Sequence, residues 1–319
     1  MSTAALAAAT TLEDFVDAAR SIVAGSTDVR LHLDRIDPLV DHVAGWSYAD
    51  WSFYLKDPED IDIAVGIMEF VANAALNGGY FEATAGGIRK WEVRGSGSQA
   101  LLVWIERMRE LGLSPAESRI GTAAAQDVYA PHLEGQPFAV ERLQILGELS
   151  DPDRRERFVN YLMFSAGADA ETWRFSLDQA RELARVFPAG FGGDPFMKKA
   201  CLALLAIAGW LHHARGLAIE SRIPIPSDYQ IPRILAWKGV IEVSQGFAAQ
   251  LRDDRRLLDV ESAEVIAMRA AAVAAAHEIG IRAGVDDIVV DGALFIPFRK
   301  DPGFIGFHLP PMRCASMWF

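Results

Sequence analysis

Residues 194–216 read DPFMKKACLALLAIAGWLHHARG, a strongly apolar stretch that contains a Lys-Lys pair and a His-His pair. Its apolar residues follow a helical periodicity, which predicts a helix that packs in a protein core. The apolar run lasts only about a dozen residues before His212, whereas a membrane span needs about eighteen or more. We therefore expect a buried helix in a soluble protein.

The same helical periodicity recurs along most of the chain. Thr11 precedes the first of these helical segments as an expected N-cap, and Gly25 follows it as an expected C-cap. We interpret the alanine-rich residues 1–10 as a frayed tail. The predicted helical segments are residues 12–25, 57–79, 96–112, 138–150, 151–167, 170–188, 194–216, 230–254 and 261–284.

Two segments indicate β-structure. Residues 81–95, FEATAGGIRKWEVRG, predict a short hairpin, and residues 288–295, IVVDGALF, fit either one strand or the start of a final helix. No fixed repeat and no linker rich in Ser, Gly or Pro divides the chain. We therefore predict a mostly α fold in which residues 1–319 form a single helical domain, with two lobes as an alternative division, and a small β-hairpin.

Charge and cysteine content limit the function classes. The chain has 319 residues and a formal net charge of −12, which argues against a basic face for nucleic acid. A small phosphorylated ligand remains compatible, because it needs only one or two local cations. Cys201 and Cys314 stand far apart and form neither a disulfide framework nor a zinc pattern, so we expect a reducing, cytoplasmic location.

The common catalytic fingerprints are missing. The sequence GSGSQA, residues 95–100, is not a P-loop, because no Lys-Ser/Thr pair follows it. His212 and His213 occupy adjacent helix positions and therefore point in different directions. A pair of metal ligands on a helix needs a spacing of three or four residues, so we expect no metal site here.

One proline-flanked turn carries a candidate functional carboxylate. Residues 223–241 read IPIPSDYQIPRILAWKGVI, with prolines on both sides of Asp228 and Tyr229. The prolines restrict the backbone, so the pair lies on a stiffened turn and not inside a regular element. A stiff turn is an unusual position for a carboxylate that only contacts water.

Four further polar residues stand among apolar ones. Lys198 and Lys199 begin the apolar helix and are either snorkelling surface lysines or charges at the edge of the core. Asp291 is either an N-cap or a buried carboxylate with a partner, and its local pattern alone favours the cap. Arg269, inside an alanine-rich helix, is either the partner of a buried acid or one half of a surface ion pair.

Several of these segments, taken in order, resemble the queuosine-salvage family. They are GDPFMKKACLALLA, SDYQIPRILAWKGVIEVSQ, IVVDGALF and the final PPMRCASMWF, with further blocks such as FVANAALNGGYF upstream. The resemblance covers roughly residues 50–319. Members of that family are queuosine 5′-phosphate N-glycosylases, which release queuine, the 7-deazaguanine base of a tRNA modification. The resemblance implies a fold related to the helical DNA glycosylases and a hydrolase that needs no cofactor.

The resemblance also implies roles for individual residues. Asp228 matches the family's Asp-Tyr position and is expected to act as the nucleophile or to stabilise an oxocarbenium-like transition state. Lys198 is expected to hold the phosphate or the acid, and Asp291 to meet the base. The implied partner is a small nucleotide or nucleoside, without nucleic acid, membrane or metal. Further expected substrate-binding residues are Ser227, Tyr229, Asn77, Arg269 and Arg313.

The chain departs from the family pattern at positions expected to contact the base. Pro226 and Ser227 replace a Phe-Ala pair, which removes an aromatic ring that could stack on a base, and Ile296 replaces a second aspartate. Two alternatives therefore stay open: a related nucleosidase for a different modified nucleotide, or a non-catalytic nucleotide- or base-binding protein. The candidate phosphate ligands are Lys198, Lys199, Arg233, Arg269 and Arg313.

Overall fold

The computed structural model describes residues 3–47, 61–92, 97–167 and 171–318. Within these residues the protein is mostly helical, and six short strands form three two-stranded sheets. The predicted fold class, a mostly α domain with a small β-hairpin, is confirmed. No helix in the described ranges is both long enough and apolar enough to cross a membrane.

Sixteen α-helices and six strands follow one another in the described part of the chain. The helices are α1 (Ala4–Ala8), α2 (Leu12–Ala24), α3 (Asp37–Val43), α4 (Ile63–Leu76), α5 (Ser98–Glu110), α6 (Gly121–Tyr129), α7 (Ala139–Leu149), α8 (Pro152–Ala166), α9 (Leu177–Val186), α10 (Pro188–Phe191), α11 (Lys198–Arg215), α12 (Gln230–Trp237), α13 (Gln245–Arg252), α14 (Ala263–Ala283), α15 (Asp287–Phe298) and α16 (Pro302–Ile305). The strands are β1 (Val29–Leu31), β2 (Phe81–Thr84), β3 (Gly87–Lys90), β4 (Thr172–Ser176), β5 (Ala218–Arg222) and β6 (Ile241–Val243).

Helix α14 forms the centre of the fold. Every residue from 265 to 277 in this helix is buried, and the helix packs against α2, α3, α12, α15 and strand β1. Its many alanines let neighbouring helices approach closely, because helix separation depends on the side chains at the contact. Arg269 lies in the middle of this buried run and therefore requires a buried partner.

Residues 3–10 hold a fixed position, so the frayed tail predicted for residues 1–10 is wrong for these residues. Helix α1 inserts Leu6 completely into the core, which gives this segment a fixed position. Thr11 caps α2 as predicted. Its hydroxyl accepts the backbone N–H of Asp14 at 3.1 Å, and the Asp14 carboxylate accepts the N–H of Thr11 at 3.1 Å. Gly25 is the predicted C-cap.

Strands interrupt two of the predicted helices. In the segment 170–188, strand β4 pairs in parallel with β5, and helix α9 begins only after it. In the segment 230–254, Gly239 adopts a φ of 74°, and β6 then pairs antiparallel with β1. Both predictions failed for the same reason: each strand forms because it pairs with a distant segment, which local periodicity does not report.

The predicted hairpin is present as the antiparallel strands β2 and β3. Phe81 lies opposite Lys90 across this pair, and Gly87, the first residue of β3 after the turn, has a φ of 116°, which favours glycine. Residues 93–95 of the predicted hairpin segment lie outside the described residues. The segment 288–295 belongs to helix α15, so the helix is the correct one of its two interpretations.

Helices α4 and α11 pack against each other in opposite directions. Gly66, near the start of α4, faces the indole of Trp210, near the end of α11. Asn77 follows the last residue of α4, and its carbonyl accepts a hydrogen bond from Lys198, the first residue of α11. This packing sets the position of Lys198 relative to α4. The first four residues of the predicted helical segment 57–79 lie outside the described residues.

Replacing Gly66 with alanine is expected to destabilise the protein by about 1–3 kcal/mol, because the added methyl group overlaps a buried indole. A Cβ at this position would lie 2.2 Å from the ring of Trp210. On an open helix the same change stabilises by up to about 1 kcal/mol. The sign of the change in the free energy of unfolding, measured by urea denaturation, therefore tests the packing.

Gly45→Ala is the matched control, because a Cβ at Gly45 meets nothing within 4 Å. We expect it to change the free energy of unfolding by less than about 0.5 kcal/mol. A stabilising effect of Gly66→Ala would contradict the close packing of α4 on α11.

Candidate active site

One cleft brings together most of the predicted site residues. It lies between the C-terminal end of α4, the start of α11, the proline-flanked turn and α15, and its cavity volume is about 80 Å³. This volume is small beside the roughly 300–1,000 Å³ of typical ligand pockets, so a nucleotide requires the cleft to widen. The predicted residues that line the cleft are Asn77, Lys198, Asp228, Tyr229 and Asp291.

Asp228 lies on the turn between β5 and α12, and its side chain is 19 % exposed. One carboxylate oxygen, Oδ1, accepts the backbone N–H of Gln230 at 2.6 Å. The other, Oδ2, lies 3.8 Å from the Nζ of Lys198. Both contacts stabilise a negative charge on Asp228, and the local hydrogen bond holds its side chain in position. Asp228 is therefore a fixed anion at the open side of the cleft.

Lys198 is the first residue of α11, and its side chain is 3 % exposed. Its Nζ donates to the carbonyl oxygen of Asn77 at 3.3 Å, in addition to facing Asp228. Burial lowers the pKa of Lys198, and the nearby charge of Asp228 acts in the opposite direction. Of the two interpretations made for this residue, the buried charge is correct and the snorkelling surface lysine is wrong.

Asp291 lies inside α15, so the predicted N-cap role is wrong. The N-cap of this helix is Asp286, five residues earlier. The side chain of Asp291 is buried, and no described group donates a hydrogen bond to it. Burial raises the pKa of Asp291 well above its usual range, and the charge of Asp228 raises it further, against the opposing effect of Lys198. Asp291 therefore favours the neutral acid form, whose O–H is a hydrogen-bond donor.

A buried ion pair behind the cleft joins α14 to the start of α11. The guanidinium of Arg269 donates two hydrogen bonds, both of 2.8 Å, to the carboxylate of Asp194. The same carboxylate accepts the backbone N–H groups of Phe196 at 3.1 Å and Lys198 at 2.9 Å. Arg269 was predicted to bind substrate. It does not line the cleft, and its guanidinium pairs with Asp194 behind the cleft. Its partner is Asp194, which the sequence analysis did not single out.

The same arginine holds the turn that carries Asp228. Its Nε donates to the carbonyl of Ser227 at 2.8 Å, and the Ser227 hydroxyl donates to the carbonyl of Arg269 at 3.0 Å. Ser227 is fully buried and does not line the cleft, and its predicted substrate contact stays a prediction. Arg269 and Ser227 therefore position Asp228, because they fix the backbone on which it stands.

Three buried cations meet the C-terminal end of α4. Besides Lys198, Lys199 donates to the carbonyl of Ala75 at 2.5 Å. Arg142 donates to the carbonyls of Leu76 at 2.8 Å and Gly78 at 2.7 Å. Carbonyls at a helix C-terminus lack intrahelical partners and carry partial negative charge, so cations stabilise them. Burial lowers the pKa of Lys199 well below its usual range. The ammonium group of Lys199 therefore binds the C-terminal end of α4 and not a phosphate.

Two other candidate phosphate ligands do not line the cleft. Arg313 donates to the carbonyls of Leu251 at 2.8 Å and Asp253 at 2.9 Å. Arg233 donates to the carbonyl of Leu309 at 2.7 Å. Both guanidinium groups donate to loop backbone, and the structure does not bring Arg313 to the cleft. Within the described residues, Lys198 is the one predicted phosphate ligand that reaches the cleft.

Sequence reasoning missed Lys90, a cation on the hairpin beside the cleft. Its Nζ lies 5.7 Å from the ring centroid of Phe81 and 6.0 Å from that of Tyr229. Burial lowers the pKa of Lys90, and the charge of Asp228 acts against this effect. The signal in the sequence was weak, because a lysine at the end of a short hairpin strand is usually solvent-exposed.

No protein-family model matches the chain, and no curated protein is significantly similar to it. The resemblance to the queuosine-salvage family therefore remains a prediction. Within the described ranges, His, Cys, Asp and Glu side chains do not come together in groups of three or more that could bind a metal ion.

Breaking the buried ion pair is expected to destabilise the protein by about 3–5 kcal/mol, because each single change leaves a buried charge without its partner. The variants are Asp194→Leu and Arg269→Met, and the readout is the free energy of unfolding in urea. The double variant Asp194→Leu/Arg269→Met is expected to be more stable than either single variant.

The matched control is Arg282→Met, which removes an exposed ion pair with Asp37. We expect this control to cost less than about 1 kcal/mol. Additive losses in the double variant would show that Asp194 and Arg269 do not stabilise the fold as a pair.

Proposed function

We propose that the protein is an N-glycoside hydrolase of the queuosine-salvage type. Its substrate is a nucleoside 5′-monophosphate, and its products are queuine, or a related 7-deazaguanine base, and ribose 5-phosphate. One observation carries this proposal: an anionic carboxylate, Asp228, and a carboxyl group that favours its neutral form, Asp291, line one cleft together with the buried Lys198. Two acids with different protonation states are the usual means of cleaving a glycosidic bond.

Asp228 has the properties needed at the sugar. Cleavage of the bond between C1′ and the base nitrogen leaves positive charge on the sugar ring, and a fixed carboxylate next to C1′ stabilises that charge. The carboxylate acts by electrostatic attraction or by a transient covalent bond to C1′. Because the turn is held by Arg269 and Ser227, Asp228 needs little reorganisation during the reaction.

Asp291 has the properties needed at the base. As the bond breaks, its electron pair moves onto the base, and the O–H of a neutral carboxyl group stabilises this charge by hydrogen bonding. A 7-deazaguanine lacks the N7 that acids protonate in other purines, so this donor acts on another atom of the base. Water then adds to C1′. The proton that it loses passes to a carboxylate of the site and from there to the departing base, so that the base leaves as a neutral molecule and the carboxylate is restored. The net reaction consumes one water molecule per nucleotide.

The lining of the cleft also supports a second candidate, a nucleosidase for a different modified base. Pro226 lines the cleft in place of the family's aromatic residue, and Phe295 of α15 adds a ring on another side. The two candidates share the chemistry of Asp228 and differ in the base that they accept. A non-catalytic binding protein is less well supported, because a binder has no need for a fixed carboxylate beside the sugar.

Asp228→Asn is expected to lower kcat by at least about 10²-fold, because the amide cannot stabilise positive charge at C1′. Substrate binding should persist, since the side chain keeps its size. The assay incubates the protein with queuosine 5′-monophosphate, queuosine and the common purine monophosphates, and chromatography detects the free base. The pattern of cleavage separates the two candidate substrate classes.

Asp127→Asn, on the exposed surface of α6, is the matched control and should retain wild-type turnover. Binding of nucleotide without release of base from any substrate would contradict the hydrolase proposal and favour the binding protein. Equal turnover in Asp228→Asn and the wild type would remove Asp228 from the mechanism.

The pH dependence of kcat tests the role of Asp291. A raised pKa keeps this group protonated at higher pH than usual, so kcat should fall as the pH rises and the acid donor is lost. The lowered pKa of Lys198 acts in the same direction, since its ammonium charge is also lost with rising pH. The measurement is kcat from about pH 5 to about pH 9, because kcat reports the groups in the substrate complex.

Asp291→Asn keeps a donor that does not titrate, so its remaining activity should depend less on pH. A wild-type kcat that rises steadily with pH would contradict the role of Asp291 as an acid.

A further inference from the structure

Lys90 stands at the edge of the cleft on the last residue of strand β3. Its Nζ lies over the rings of Phe81 and Tyr229, and Tyr229 lines the cleft. Its side chain also approaches Gly97, where a Cβ would lie 2.8 Å from the Cε and 3.2 Å from the Nζ of Lys90. Ser98, the next residue, lines the cleft as well. The ammonium group therefore lies where the hairpin, the turn and the start of α5 meet.

Among the residues that the structure describes, the three N–H donors of Lys90 have no acceptor. No carboxylate or carbonyl oxygen of these residues lies within hydrogen-bond or ion-pair distance of its Nζ, which lies over the rings of Phe81 and Tyr229. Lys198 and Lys199, by contrast, each donate to a carbonyl of the α4 end. A partly buried ammonium without an acceptor is costly, and a bound anion would remove this cost.

The charges around the cleft favour an anionic ligand. Lys90 and Lys198 contribute two ammonium groups, Asp228 contributes one carboxylate, and Asp291 favours its neutral form. The amino end of α5 adds to this potential, because its N-cap Gly97 has no capping side chain and its first turn has no acidic residue. Free amide N–H groups at a helix start carry partial positive charge. Two carboxylates, Asp228 and Glu92, act on the charge of Lys90, and neither lies within ion-pair distance of its Nζ.

We infer that Lys90 is the cation that binds the 5′-phosphate of the substrate. This inference rests on the proposed function, and it assigns the phosphomonoester to the hairpin side of the cleft, where the phosphate oxygens meet Lys90 and the amino end of α5. Lys198 then remains beside Asp228. Lys90 thus sets the preference for a phosphorylated nucleotide over the free nucleoside. The aromatic faces of Phe81 and Tyr229 hold the ammonium while the site is empty.

The test combines a binding measurement with a kinetic one. Calorimetry measures the Kd of ribose 5-phosphate for the wild type, Lys90→Met and Lys90→Arg. The kinetic readout is the ratio of kcat/KM for queuosine 5′-monophosphate to kcat/KM for queuosine. Arg89→Met is the matched control, because Arg89 is the preceding residue on β3, is exposed and pairs with Glu82. Thermal unfolding checks that each variant folds.

We expect Lys90→Met to weaken ribose 5-phosphate binding by about 10- to 100-fold, because a charge-assisted hydrogen bond is lost. The kcat/KM ratio should fall by a similar factor. Lys90→Arg should keep most of the phosphate affinity, and Arg89→Met should change neither quantity.

Three outcomes would overturn the inference: no binding of ribose 5-phosphate to the wild type, equal binding to the wild type and Lys90→Met, or an equal loss of kcat/KM for nucleotide and nucleoside. Failure of the proposed function looks different. If ribose 5-phosphate binds and the affinity depends on Lys90, but no nucleotide is cleaved, the hydrolase proposal fails while the phosphate site stands.

Discussion

The buried ion pair between Asp194 and Arg269 is the interaction on which the candidate site depends. Arg269 projects from the buried run of helix α14, and its guanidinium reaches two separate segments at once. Through Asp194 it fixes the start of α11 and hence Lys198. Through the carbonyl of Ser227 it fixes the turn that carries Asp228. Any other arrangement would leave a buried charge without its partner, which is strongly unfavourable. The ion pair between Asp194 and Arg269, which lies behind the cleft, therefore sets the distance between Lys198 and Asp228.

The electrostatics of the cleft follow from how each charge is compensated. Lys199 and Arg142 donate hydrogen bonds to carbonyls at the end of α4 and do not contact a ligand in the cleft directly. Lys198 is shared between that helix end and Asp228. Burial raises the pKa of Asp291 and so disfavours a second negative charge beside Asp228. In the proposed reaction, Asp228 is the carboxylate and Asp291 is the acid donor, and the ammonium group of Lys198 lies beside them in the cleft.

Local patterns in the sequence predicted the elements that depend on local interactions. The N-cap at Thr11, the C-cap at Gly25, the hairpin and the helical character of most segments were all predicted correctly. The errors have one physical origin. Strands β4 and β6 exist because they pair with β5 and β1, which lie far away in the sequence. Residues 3–10, predicted as a frayed tail, hold a fixed position because Leu6 fills a core position that other segments supply.

For the candidate site, too, the sequence predicted the local features and the tertiary structure decided the contacts between distant residues. The sequence by itself determined that Asp228 stands on a proline-restricted turn and that Lys198 begins an apolar helix, because proline geometry and helical periodicity are local properties. Only the tertiary structure decided that Asp291 lies near Asp228, that Arg269 belongs to Asp194, and that Lys90 lies beside the cleft. Burial, pKa and ion pairing depend on distances between side chains that the chain brings together only when it folds.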